Sequence, residues 1–250
     1  NSIDFLLLCT QSPDYFLPTT ACILQDKLGL KTTIGALDFN LGCSGYVYGL
    51  GLAKGLITAG LANNVLLITS ETYSKFIHPK DKSNKTIFGD AAAATLISGD
   101  SGLFEIGDFV FGTDGSGAEN LIVKNGGLRN FHENGTDVID EYGNVRNDNN
   151  LFMNGSEIFN FTSESVPLLT NQLLNKIKLS LEEVDLFIFH QANRYMLNHL
   201  RKKIGIPEDK FFISMDFCGN TVSSTIPIAI REALKQGKFE NVLHCVLEGF

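Results

Sequence analysis

Three residues far apart in this 250-residue chain could together carry acyl-transfer chemistry: Cys43, His190 and Asn220. Cys43 lies in "NLGCSGYVYGLGLAKGLITAG" (40–60), between small residues and at the mouth of an apolar, glycine-flecked helical pattern. Free cysteine is among the most buried residue types, so packing is one reading. A helix N-terminus also favours a thiolate over a thiol, which suits a nucleophile. His190 closes the apolar strand-like run "VDLFIFH", where a structural histidine competes with a catalytic one. Asn220, in "CGNTVSSTIPIAI", precedes a helical pattern and is both a preferred N-cap and an amide donor. A thiol, an imidazole and an amide at one place supply a nucleophile, a base or donor, and an oxyanion stabiliser.

An internal repeat is what would bring them together. "IDFLLLC" (3–9) aligns with "VDLFIFH" (184–190), setting Cys9 opposite His190. The stretch 43–69 aligns without a gap with 220–246, setting Cys43 opposite Asn220, Gly60 opposite Gly237 and Asn64 opposite Asn241. Both stretches follow an Asp-Phe pair, "ALDFNLGC" and "SMDFCGN". Two such units are a duplicated strand–helix–strand element. Packed about a pseudo-twofold axis, their equivalent helix N-termini converge, so Cys43 faces Asn220 with His190 on an adjacent strand end.

The elements follow from periodicity. Strands are expected at 3–9, 34–39, 64–70, 92–98, 104–111, 185–190, 211–217 and 241–247, and helices at 17–28, 43–60, 154–176, 192–204 and 222–236. Alternating strand and helix indicates a layered α/β architecture. Residues 112–150 are rich in Gly, Asn and Asp and read as a long connection, dividing the chain into halves at 1–111 and 151–250. The chain opens on a strand without an initial Met and stops as another strand ends, and so reads as a piece of a longer polypeptide.

Composition narrows the function classes. A net charge of −8 argues against a broad nucleic-acid surface. Five cysteines in no CxxC or Cys/His spacing indicate neither a disulfide framework nor a metal site, which fits a reducing cytoplasm. No apolar run reaches transmembrane length.

"LGCSGYVYGL", "IFGDAAAATLISGD", "FHQANRYML" and "CGNTVSSTIPIAI", in this order and spacing, resemble the signature segments of β-ketoacyl-acyl-carrier-protein synthase III, a condensing enzyme of the thiolase fold. The resemblance covers nearly the whole chain apart from about 125–150. It implies a five-layered αβαβα sandwich of two related halves. It also implies decarboxylative condensation of an acyl-CoA primer with malonyl-acyl carrier protein (ACP), without a cofactor. Cys43 would carry the primer as a thioester, and His190 and Asn220 would stabilise the enolate left by CO₂. Leu17, where many relatives have Phe, would line the acyl pocket of a partner subunit in a homodimer, and Phe250 would help exclude water beside the nucleophile. Family segments that hold CoA and supply a second oxyanion-hole amide lie outside both ends of this sequence.

The carrier is acidic, so it needs a basic face on an acidic protein. Arg194, Arg201 and Lys202, seven and eight residues apart on the helix after His190, are expected to form one. Tyr195 stands where relatives usually carry an arginine. Other enzymes share a Cys, His and Asn set. Papain-like peptidases do, but no Trp, no "CGSCW"-like segment and the internal repeat count against them. Within the thiolase fold, hydroxymethylglutaryl-CoA synthases, plant-type polyketide synthases and head-to-head condensing enzymes use the same chemistry. A non-catalytic partner subunit would be expected to lose the nucleophile, and Cys43 is present.

Overall fold

In the computed structural model, which describes residues 3–250, the apolar alternation of the first half folds into β1 (Phe5–Cys9), α1 (Thr20–Lys27), β2 (Gly35–Phe39), α2 (Gly45–Thr58), β3 (Asn64–Glu71), a one-turn α3 (Lys82–Lys85) and β4 (Ala91–Ser98). The connection carries four two-residue strands: β5 (Leu121–Ile122), β6 (Val138–Ile139), β7 (Val145–Arg146) and β8 (Phe152–Met153). The second half contributes α4 (Gly155–Ile177), β9 (Leu186–Phe189), α5 (Arg194–Ile204), α6 (Thr225–Lys235) and β10 (Cys245–Glu248).

The first sheet has the order β2-β1-β3-β4, parallel except for β4. The second pairs β9 with β10 in parallel. Alternate side chains of a strand point to opposite faces, and this separates the layers. Leu7 of β1 and Leu186 and Ile188 of β9 face a shared core with Tyr46, Leu50 and Ala53 of α2 and Ile226, Ala229 and Ala233 of α6. Leu6 and Leu8 turn the other way, onto Ala21 of α1. Phe187 and Phe189 turn onto Val166 and Leu174 of α4 and Met196, Leu197 and Leu200 of α5. The layers are therefore α1, first sheet, α2 with α6, second sheet, and α4 with α5. This is the αβαβα order expected from the sequence.

The halves match in detail. Asp4 Oδ2 accepts from the backbone N–H groups of Asn63 and Asn64 at 2.9 and 2.8 Å, fixing the entry to β3. Asp185 Oδ2 accepts from Leu243 and His244 at 2.9 and 3.0 Å, fixing the entry to β10. A gapless repeat would put the Asp185 contacts at 240 and 241; they fall at 243 and 244, so the second half carries three extra residues here and its last strand begins at Cys245 rather than near 241.

Two expected strands do not form. Through 104–111 the chain forms no strand, because lysine ammoniums take carbonyls that a neighbouring strand would use. Lys54 Nζ donates to Ile106 O and Gly107 O at 2.6 and 2.7 Å, and Lys176 Nζ to Phe109 O at 2.9 Å. Over 211–217 the pairing stops after one bridge, Phe187 to Phe211. The Gln191 side chain then intervenes, its Oε1 accepting from Ser214 N at 2.8 Å. The glycines of α2 serve close packing: a Cβ at Gly45 would collide with Cys9 Sγ, and one at Gly49 would meet Leu67 Cδ1 at 2.6 Å.

Candidate active site

Cys43 lies just before α2, with Ser44 as the N-cap and Gly45 the first helical residue. It packs against the buried cluster of Tyr73, Ile77, Leu151 and Val222, which Phe76 and Phe88 also border. This environment opposes the preference for thiolate expected of the helix terminus. Burial, then the negative charge of Glu71, push the Cys43 thiol up to about 12, against a smaller opposing pull from its own backbone N–H. Cys43 therefore rests as a thiol and has to lose its proton as it attacks.

Asn220 is 5% exposed and held from three sides. Its N–H donates to Ile87 O at 3.0 Å, its carbonyl accepts from Gly89 N at 2.9 Å, and its Oδ1 accepts from Val222 N at 2.9 Å. The last bond fixes the amide orientation: with Oδ1 engaged, the free donor is Nδ2, which makes no hydrogen bond among the described residues. The Asn220 side chain does not cap α6, whose N-cap is Ser224; its Oδ1 closes a local turn instead, and its Nδ2 remains free to donate.

His190 is 1% exposed at the end of β9. Its N–H donates to Glu248 O at 2.7 Å, the Phe250 ring meets its edge with centroids 5.3 Å apart, and its Nδ1 lies 2.7 Å from Thr225 Oγ1. Burial holds its pKa down at about 3, so it is neutral across the physiological range. The Phe250 ring, expected beside Cys43, is thus placed against the imidazole of His190.

Val222 links the three. It belongs to the cluster against which Cys43 packs, donates to Asn220 Oδ1, and accepts at its carbonyl from Thr225 Oγ1 at 3.0 Å, the hydroxyl that touches His190. Its φ of 56° is in the left-handed region, unusual for a β-branched residue and worth on the order of 1–3 kcal/mol of strain. Gly249 closes the same corner, where a Cβ would meet Cys43 O at 3.0 Å.

The sequence reading passed over Val222, Thr225 and two buried acids, Glu71 and Glu248. Glu71 accepts from Gln11 N at 3.1 and 3.2 Å, Ser12 Oγ at 3.0 Å and Ser223 Oγ at 3.2 Å, tying the first half to the second. Extending the repeat by two residues beyond 69 and 246 would have aligned the two acids.

The remaining expected residues are not drawn into this centre. Leu17 is 82% exposed beside Phe16, whose ring meets that of Phe131 at a tilt. Arg194 is exposed and paired with Asp216 at 2.5 Å. It lines a cleft of about 530 Å³ with Ile87, Phe88, Asn193 and Cys218, next to the Asn220 loop. Arg201 turns inward, donating to Ile206 O at 3.2 Å and Glu208 Oε2 at 3.3 Å, whereas Lys202 is exposed. The three do not form the single exposed basic face expected.

Residues 37–115 match the family model for 3-oxoacyl-[acyl-carrier-protein] synthase III, and residues 174–250 match its C-terminal model. The chain is 35% identical to a β-ketoacyl-[acyl-carrier-protein] synthase III of Clostridium perfringens over 99% of its own length and 74% of the relative's. It is 36% identical to such a synthase of Bacillus subtilis over 100% of its length and 74% of that protein. A crystal structure of a 3-oxoacyl-(acyl-carrier-protein) synthase III superposes with a TM-score of 0.96 at 52% identity, covering all of this chain and 75% of that one. The synthase of Burkholderia xenovorans superposes at 0.88 with 40% identity, covering 100% and 70%. With the duplicated αβαβα layers and the Cys43, His190 and Asn220 corner already in place, these matches establish that the chain belongs to the β-ketoacyl-acyl-carrier-protein synthase III family.

Proposed function

We propose that this chain performs its family's reaction through Cys43, His190 and Asn220. The reaction is the condensation that starts fatty acid synthesis: an acyl primer from acyl-CoA and malonyl-ACP give 3-oxoacyl-ACP, with no cofactor. Cys43 sulfur attacks the primer thioester carbonyl as its proton leaves, and the CoA thiolate departs and takes up a proton, leaving acyl-Cys43. Malonyl-ACP then loses CO₂, and the electron pair of the broken carbon–carbon bond forms an enolate. Asn220 Nδ2 and His190 Nε2–H donate to that enolate oxygen. Neutral donors serve because charge develops on oxygen only as CO₂ leaves. The enolate carbon attacks acyl-Cys43, and Cys43 departs as thiolate and is reprotonated.

The observation that carries the reading is the Val222 corner, where one residue shares the cluster that Cys43 packs against, orients Asn220 and reaches His190 through Thr225. The test measures the two half-reactions separately. Cys43→Ala should abolish the acyl adduct from acyl-CoA. His190→Ala and Asn220→Ala should each lower malonyl-ACP decarboxylation by roughly 10²–10³ while still allowing acylation. Loss of acylation alone in both variants would overturn the roles.

Three finer readings accompany this. The exposed Tyr15, Phe16 and Leu17 segment is the shared pocket wall of a homodimer. Arg194, at the cleft mouth, takes part in carrier docking together with Lys202. The protein works in the cytoplasm, in keeping with five unpaired cysteines; no described helix is long and apolar enough to cross a membrane.

A further inference from the structure

We propose that Thr225 is a positioning residue that sets the tautomer of His190. The inference rests on His190 acting as a hydrogen-bond donor at Nε2, as argued above. A neutral imidazole has one proton for two nitrogens, and the partner of one nitrogen decides what the other can do. Among the described residues, the His190 ring has a single side-chain hydrogen-bond partner, Thr225 Oγ1, 2.7 Å from Nδ1; the Val222 backbone, which the same hydroxyl reaches, also favours a proton on the ring. Both residues are almost fully buried, so water does not substitute readily.

The Thr225 hydroxyl has one proton and two acceptors in reach, His190 Nδ1 at 2.7 Å and Val222 O at 3.0 Å. Turned toward Nδ1, the hydroxyl donates to the ring nitrogen. The imidazole proton then resides on Nε2, the form that can donate to an enolate oxygen. Turned toward Val222 O, its oxygen instead accepts from Nδ1–H, and Nε2 is left bare. In each tautomer Nδ1 and the Thr225 hydroxyl stay paired, so rotating one O–H selects between them at little cost. The shorter contact favours the first arrangement, with Nε2–H facing the site. A valine at 225 has the same shape and neither bond, so the choice of tautomer is lost.

The test compares wild type, Thr225→Val and Thr225→Ser in the full protein. Nitrogen-15 NMR of labelled histidine identifies which His190 nitrogen carries the proton, independently of activity; His190→Ala assigns the signal. Wild type and Thr225→Ser should show the Nε2–H form, and Thr225→Val a mixture. Malonyl-ACP decarboxylation should fall about 10²-fold in Thr225→Val and recover in Thr225→Ser. Acylation of Cys43 should change less than about threefold, which also reports an intact fold. Unchanged His190 signals in Thr225→Val overturn the proposal even if activity falls. Altered signals with unchanged decarboxylation would instead overturn the donor role of His190 on which it rests.

Discussion

Glu71 and Glu248 are the last residues of β3 and β10, and both are buried. Their surroundings differ. Glu71 is met by the Gln11 amide and the Ser12 and Ser223 hydroxyls, whereas Glu248 receives only Thr170 Oγ1, at 2.6 Å on Oε2. Oε1 of Glu248 is buried without a partner. Burial raises Glu71 to about 7, opposed by its hydrogen bonds, and Glu248 to about 8, opposed by Thr170 alone.

The Glu248 shift makes stability depend on pH. Between the ordinary value of 4.5 and about 8, the folded state holds a proton that the unfolded state releases. Its contribution is therefore full below about 4.5 and is lost as pH rises to about 8. Glu248→Gln is neutral throughout and removes that slope. Chemical denaturation should show the variant gaining on wild type from pH 5 to pH 8, by on the order of 1–4 kcal/mol. Parallel stability curves for the two proteins would exclude this.

Glu71 bears on the nucleophile instead. Its charge is the second cause, after burial, of the raised Cys43 thiol. Glu71→Gln should therefore speed alkylation of Cys43 by iodoacetamide several-fold at pH 8, where Glu71 is largely ionised. At pH 6 it is largely protonated, and the effect should shrink toward none. Peptide mass mapping isolates Cys43 from the other four cysteines. Equal acceleration at both pH values would point to loosened packing rather than to charge.

The layers and the convergence at the active corner were legible because both rest on repeated pattern. Leu7 with Ile188, and Asp4 with Asp185, recur in register, and period-two alternation assigns each side chain its face. What sequence could not show is competition for backbone groups. Lys54 and Gln191 look like ordinary polar residues, yet they end two expected strands by occupying ladder partners. The surroundings of the Cys43 thiol were hidden for a similar reason: its helix terminus is local, whereas the Tyr73, Ile77, Leu151 and Val222 cluster it packs against comes from distant parts of the chain. Thr225 carries no signal of its own, being one more small residue in "NTVSSTIP".

The shared-pocket reading of Leu17 makes a claim about assembly. Burying a leucine of this exposure contributes roughly 1.5–3 kcal/mol, so a charge there should weaken the dimer tenfold or more. Light scattering of Leu17→Asp across a dilution series should show monomer at concentrations where wild type is dimeric. Leu17→Phe should keep the dimer and change the preferred primer length. A monomeric wild type with full activity would rule the shared pocket out.

Carrier docking can be divided among the three basic residues because the helix treats them differently. Arg201 is committed inward, with Nη1 on Ile206 O, Nη2 on Glu208 and Nε buried without a partner. Arg201→Glu would bring a carboxylate into that pocket and strand the Ile206 carbonyl, so it should lower thermal stability whatever its effect on turnover. Arg194 is placed differently. Its pair with Asp216 is exposed, and such pairs are worth about 0–1 kcal/mol, so an acidic carrier can displace Asp216 at little cost. Arg194→Glu with Lys202→Glu should leave stability within about 0.5 kcal/mol of wild type. Turnover with malonyl-ACP should fall most at low salt, where surface charge is least screened, while acylation of Cys43 by a short acyl-CoA stays near wild type. Equal loss in both half-reactions, or a loss independent of salt, would place the carrier on another face.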